Sequence, residues 1–115
     1  QRHGQWIIGK SLDTFCPIGP WLVTSDEITD VNAMTLVTKI NGEVRQQAVV
    51  ADLIFDIPTL IETMSATMTL MPGDIIATGT PAGVGIGYTP PKYLSKGDHM
   101  SLEISGLGRL ENTIE

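Results

Sequence analysis

The sequence predicts a mainly β domain of the α+β class with one helix, and three observations predict it. Two β-rich runs flank Asn41-Gly42, a dipeptide that takes the positive-φ conformations of a type I′ hairpin turn. Other apolar runs are short and end in Gly, Pro or Asp turn chemistry before a helix could develop. Only the stretch from Asp56 to about Thr67 combines a helix N-cap with helical spacing of apolar residues.

The elements follow in chain order. Trp6-Ile7-Ile8 reads as a β-strand holding Lys10 at its end. Phe15-Cys16-Pro17-Ile18-Gly19-Pro20 is a rigid turn, because proline fixes φ and donates no hydrogen bond. Trp21-Leu22-Val23-Thr24 is β-rich, and Ser25-Asp26-Glu27 is a turn or a short helical start. Thr35 to Ile40 and Glu43 to Val50 form the hairpin. Asp56 caps the helix, Pro58 suits its first turn, and Leu60, Ile61 and Met64 supply its apolar side. Met71-Pro72-Gly73-Asp74 turns into Ile75-Ile76-Ala77-Thr78, a short buried strand. A Gly-rich stretch from Gly79 to Gly87 and Pro90-Pro91 lead to the Lys96-Gly97-Asp98 turn. Strands from His99 to Ser105 and from Arg109 to Ile114, joined by Gly106-Leu107-Gly108, make a final hairpin.

Composition narrows the function classes. The chain has 115 residues with 13 acidic and 7 basic side chains, and its net charge of −6 argues against a phosphate backbone as ligand. Two Trp, two Tyr and two Phe also leave few rings to stack on bases, so no nucleic-acid partner is expected. The apolar runs are far shorter than a membrane span. The one cysteine, Cys16, can form neither an internal disulfide nor a cysteine cage for zinc, which points to a reducing, cytoplasmic setting.

Several patterns bear on chemistry. Gly4-Gln5-Trp6-Ile7-Ile8-Gly9-Lys10-Ser11 has the spacing of a phosphate-binding loop, but no buried strand precedes it, and Pro17, Gly19 and Pro20 leave no room for the helix that must follow. Gly83-Val84-Gly85-Ile86-Gly87 lacks both the dinucleotide spacing and a following helix. Thr78-Gly79-Thr80-Pro81-Ala82-Gly83 reads two ways: a flexible connection, or a loop whose N–H groups and hydroxyls approach a carboxylate or carbonyl oxygen. His3 and His99 have no nucleophile pattern beside them, and Cys16 reads as a small packed hydrophobe. Asp74 and Asp98 follow Gly in turns, where Asp serves the backbone. No Glu-x-Glu or Asp-x-Asp converges on a hard cation, so no metal ligand is assigned in these residues.

The strings Gly9-Lys10-Ser11-Leu12-Asp13-Thr14-Phe15-Cys16-Pro17-Ile18-Gly19-Pro20-Trp21, Asn41-Gly42-Glu43, and Pro72-Gly73-Asp74-Ile75-Ile76-Ala77-Thr78-Gly79-Thr80-Pro81-Ala82-Gly83-Val84-Gly85 occur in order. With Lys96-Gly97-Asp98 and Gly106-Leu107-Gly108, they make the whole chain resemble the fumarylacetoacetate hydrolase family. The resemblance implies a mixed β-roll of packed sheets, a homodimer, and hydrolysis, decarboxylation or isomerisation of 2-oxo acids with Mg²⁺ or Mn²⁺. It implies that Lys10 neutralises charge at the reacting oxygens and that Thr80 contacts substrate, with Gly79 allowing close approach. Thr14 and Gln5 carry over more weakly as substrate-binding positions. In the family, the metal-binding Glu-x-Glu, a following Asp and a lid histidine precede the Gly-Lys-Ser string. The resemblance therefore makes residues 1–115 the C-terminal portion of a catalytic domain, inactive without its metal-binding portion. The contrasting expectation is a non-catalytic β-domain with a structural, dimerisation or binding role.

Overall fold

The computed structural model describes residues 7–115. A four-residue helical turn, α1 (Ile7–Lys10), comes first, so the strand expected at Trp6-Ile7-Ile8 is not formed by its described residues. All of α1 is exposed. β1 (Thr35–Ile40) and β2 (Glu43–Val49) form the expected hairpin, with Asn41 at φ 50° and Gly42 at φ 83°. Helix α2 (Ile57–Ser65) starts as its sequence predicts, the Asp56 carboxylate accepting from the Thr59 N–H at 2.9 Å. β3 (His99–Ile104) and β4 (Gly108–Thr113) complete one antiparallel sheet in the order β2-β1-β3-β4.

Register explains how the sheet divides inside from outside. Leu36, Thr38 and Ile40 alternate along the central strand β1, opposite Ala48 and Gln46 of β2 and Ile104, Leu102 and Met100 of β3. Because side chains alternate with period two, these residues share one face. Thr38 and Ile40 are buried on it, and Met34, just before β1, is the other buried hydrophobe among the described residues. The opposite face is charged: Arg109 pairs across the strands with Glu103 at 2.8 Å.

β2 contains a bulge. Thr38 faces Gln46 and Lys39 faces Val44, which leaves Arg45 as the extra residue. Both Arg45 and Gln46 are half-buried as a result.

Two further β-rich stretches join no sheet among the described residues. Trp21–Thr24 joins no strand among the described residues; one side of the 65% exposed Trp21 ring lies against the backbone of Gly108, where an added Cβ would sit 2.7 Å from the indole. Ile75–Thr78 is neither paired nor buried, and Ile75 is 70% exposed. Cys16 is exposed rather than packed. In each case the local sequence suits burial, but no neighbouring element among the described residues covers it.

The turns behave as their Asp residues predict. Asp74 accepts from the Met71 N–H at 2.7 Å and Asp98 from the Ser95 N–H at 2.8 Å. Asp98 also accepts from the Asn41 amide at 2.8 Å, while the Asn41 oxygen accepts from the His99 N–H at 2.9 Å. The two turns are thereby tied together at one end of the sheet. These bonds, Ser95 first and Asn41 next, hold the Asp98 carboxyl below the usual aspartate range, with the Arg45 charge assisting. A depressed carboxyl pKa adds stability above the unfolded-state value, about 4, and loses it as pH falls through the folded-state value. We expect Asp98→Asn to lower the melting temperature at pH 7 and to lower it less near pH 3, below the unfolded-state value. An equal shift at both pH values in thermal melts would rule out this charge-dependent contribution.

Candidate active site

Residues 78–81 of the Gly-rich loop, which the sequence left as either a flexible connection or a ligand-approaching loop, border a concavity of the apolar sheet face. This groove of about 670 Å³ is walled by Leu36, Ala48 and Ile104 of the sheet, by Ile57 and Leu60 of α2, and by Leu53-Ile54-Phe55. Thr78, Gly79, Thr80 and Pro81 form one rim, and Asp52 is the only charged residue in its lining. Gly79 adopts φ +113°, with open space where a Cβ would stand, so its backbone is accessible from the groove.

Three contacts hold this rim to the β2 bulge. The Gln46 amide donates to Thr80 Oγ1 at 2.8 Å and to the Pro81 carbonyl at 3.0 Å. Gly83, at φ +105°, lies so close to Arg45 that a Cβ would stand 1.9 Å from its carbonyl oxygen. The Tyr88 hydroxyl donates to that same carbonyl at 3.3 Å.

Charge strengthens the last contact. The Arg45 guanidinium carbon lies 5.3 Å and Lys92 Nζ 4.8 Å from the Tyr88 ring centre, and Glu43 joins both cations. The Lys92 hydrogen bond first, and the Arg45 charge after it, hold the Glu43 carboxyl below its usual range. Arg45 Nε is buried 3.2 Å from Glu43 Oε2 but makes no aligned hydrogen bond, so this contact is ionic in character.

Of the expected site residues, Gly79 and Thr80 come together at the groove rim. Lys10, at the exposed end of α1, and Thr14 do not line the groove. Thr14 sits in a turn closed by the Phe15 N–H on the Leu12 carbonyl, at φ 68°, which is unusual for a β-branched residue. Gln5 and His3 lie outside the described residues. Among the described residues no group of three His, Cys, Asp or Glu side chains could hold a metal ion, so they do not fit a divalent cation. Sequence reasoning missed Gln46. Its signal was an amide at a position that alternation turns toward an apolar face.

An antiparallel sheet carrying an apolar groove with hydroxyls at its rim defines a mainly β protein. Comparison with known proteins makes that class specific. The family described as Fumarylacetoacetate (FAA) hydrolase C-terminal matches residues 1–115, and the chain belongs to this family. It is 54% identical over 114 residues to the oxaloacetate tautomerase YisK of Bacillus subtilis (strain 168), covering 99% of this chain and 38% of the relative. The solved fumarylacetoacetate hydrolase (EaFAH) of Exiguobacterium antarcticum is 46% identical with a TM-score of 0.90, over 94% of this chain and 39% of that one. The maleylpyruvate hydrolase of Sphingobium sp. SYK-6, solved with manganese(II) and pyruvate, is 44% identical with a TM-score of 0.80, over 89% and 36%. The fold is therefore that of the fumarylacetoacetate hydrolases, and the chain spans under half the length of these relatives. Among the described residues no helix is long and apolar enough to cross a membrane.

Proposed function

We propose that these residues supply the substrate-facing C-terminal portion of a metal-dependent enzyme that hydrolyses, decarboxylates or isomerises 2-oxo acids through an enolate. The observation that carries this reading is the Thr78–Pro81 loop, held by Gln46 at the rim of the groove with Thr80 exposed there. Its support from the comparisons is that an oxaloacetate tautomerase shares 54% of the sequence over 99% of this chain, and a maleylpyruvate hydrolase shares the fold over 89% of it.

In this reading Thr80 donates a hydrogen bond to a substrate carboxylate or 2-oxo oxygen, and Gly79 lets the backbone come close. The Lys10 ammonium neutralises negative charge developing at the reacting oxygens. Thr14 and Gln5 remain the weaker substrate-binding candidates that the family resemblance carries over. A divalent ion, Mg²⁺ or Mn²⁺, would act as Lewis acid, with protein ligands from residues other than those described here. The setting is cytoplasmic, which suits an exposed free thiol at Cys16.

The surface supports completion by further protein. The chain exposes 9521 Å², against roughly 6,100 Å² for a folded monomer of its mass. Its radius of gyration is 15.7 Å, against roughly 13 Å for a compact domain of this length. Leu22 is 92% and Ile54 90% exposed, values that suit faces covered by a metal-binding portion and by a second subunit of a homodimer.

Calorimetry tests the division of labour. The 115 residues alone are expected to bind no Mn²⁺ with oxalate, whereas a protein joining them to the Glu-x-Glu portion binds both. Micromolar binding by the 115 residues would overturn this reading of where the ligands lie.

A further inference from the structure

We propose that Gln46 is a positioning residue that fixes the polarity of Thr80, making its hydroxyl a donor toward an anionic substrate oxygen. The inference rests on the reading of Thr80 as a substrate contact. A threonine hydroxyl has one proton and two lone pairs, and by itself it can serve a ligand as donor or as acceptor. The direction here follows from two distances. The Pro81 carbonyl is an acceptor only, so the group 3.0 Å from it must be the Gln46 amide nitrogen and not its oxygen. That nitrogen also stands 2.8 Å from Thr80 Oγ1, so its second N–H occupies a lone pair of the hydroxyl. The Thr80 proton is left to point elsewhere, and among the described residues no acceptor takes it. Thr80 lies on the groove rim, where a carboxylate or 2-oxo oxygen has lone pairs and no proton to give.

The bulge makes this reach possible. With Arg45 inserted as the extra residue, Gln46 keeps its place opposite buried Thr38 on the inner face while the rim docks against the Arg45 carbonyl. A regular strand ending in an apolar side chain at this position would pack against the loop equally well. It would leave the hydroxyl free to rotate and the Pro81 carbonyl unpaired, so the amide contributes something that packing does not.

The test inverts the donor without changing its shape. In the intact protein that carries these residues, Gln46→Glu replaces the N–H pair with acceptors that take the Thr80 proton. We expect KM for oxaloacetate to rise about tenfold to a hundredfold, with a smaller change in kcat. Gln46→Met, which neither donates nor captures the proton, should raise KM only severalfold. In a Thr80→Val background, Gln46→Glu should raise KM by no more than about twofold further.

A purely structural role predicts another pattern: Met and Glu alike in KM, with losses that follow melting temperature and add to that of Thr80→Val. That pattern would overturn the role of Gln46 while leaving Thr80 as a substrate contact. A Thr80→Val protein with unchanged KM would overturn the Thr80 reading and this inference with it. Should the position 46 variants not fold, NMR of the unsubstituted protein decides. The inference requires Gln46 side-chain amide protons protected from exchange and coupled through the hydrogen bond to the Pro81 carbonyl. Rapidly exchanging, uncoupled protons would overturn it.

Discussion

On the proposed function, replacing Lys10 by methionine in the intact protein is expected to lower turnover of its 2-oxo acid substrate by about a hundredfold to a thousandfold, the range seen when one donor to a developing oxyanion is removed. The folded state should hardly notice. Lys10 ends an exposed helical turn, and the ion pairs among the described residues join other side chains. An exposed substitution of this kind changes stability by no more than about 0.5 kcal/mol. The expected result is a melting temperature within a degree or two of wild type and a low kcat. Lys10→Arg should recover part of the loss, since it restores charge but spreads it over a broader, planar group. Steady-state kinetics of the intact protein beside thermal melts provide the check. A Lys10→Met protein with wild-type kcat would remove the lysine from the chemistry and leave the groove rim as the candidate site.

Gly83→Ala is expected to be the most damaging single-methyl change. A left-handed φ costs a non-glycine residue roughly 1–2 kcal/mol, and Gly83 sits at φ +105°. The larger difficulty is steric. The new methyl would stand 1.9 Å from the Arg45 carbonyl oxygen and 2.9 Å from its carbon, both backbone atoms within a sheet. The loop must therefore lift, breaking the bonds from Gln46 to Thr80 and Pro81, each worth about 1 kcal/mol. A total loss of at least ~3 kcal/mol follows from strain and lost bonds together.

Gly42→Ala isolates the conformational part. Its φ is +83°, with nothing within 4 Å of the added carbon, so only the left-handed cost of roughly 1–2 kcal/mol applies. Denaturant unfolding of the two variants should therefore differ by more than 1 kcal/mol, and Gly83→Ala alone should speed amide exchange from Gly79 to Gly87. Equal losses would mean that the rim is not docked on the bulge.

Much of the scaffold could be read in the sequence because its signals are local. Asn41-Gly42 can satisfy two successive positive φ values with little strain, so the hairpin follows from the dipeptide and its β-rich flanks. Asp56 followed by Pro58 marks a helix start by chemistry within one turn. Asp74 and Asp98 likewise bond to backbone three residues away. Where the sequence misled, the missing information was non-local. Ile75-Ile76-Ala77-Thr78 has the composition of a buried strand, but burial needs a neighbour, and composition does not say whether these residues contain one. The helical turn at Ile7–Lys10 overrides a β-rich tripeptide for the same reason, since β preference expresses packing against a sheet more than backbone choice.

The candidate site divides along the same line. The linear strings around Lys10 and Thr80 carried the family resemblance, which the match over residues 1–115 bears out. They identified Thr80 and Gly79 as neighbours because the two are adjacent in the chain. They could not show that Gln46, 34 positions earlier, reaches Thr80, because that contact depends on a bulge and on sheet register.

The sequence by itself determined strands β1 to β4, the capped helix, the turn chemistry and the family, all of which rest on interactions within a few residues or on strings of fixed order. Only the tertiary structure decided that the threonine loop is docked on β2, that its hydroxyl accepts from the Gln46 amide, and that Lys10 does not line the groove. Those facts depend on which backbone meets which across the sheet, and long-range contact is a property of the folded chain that no local pattern encodes.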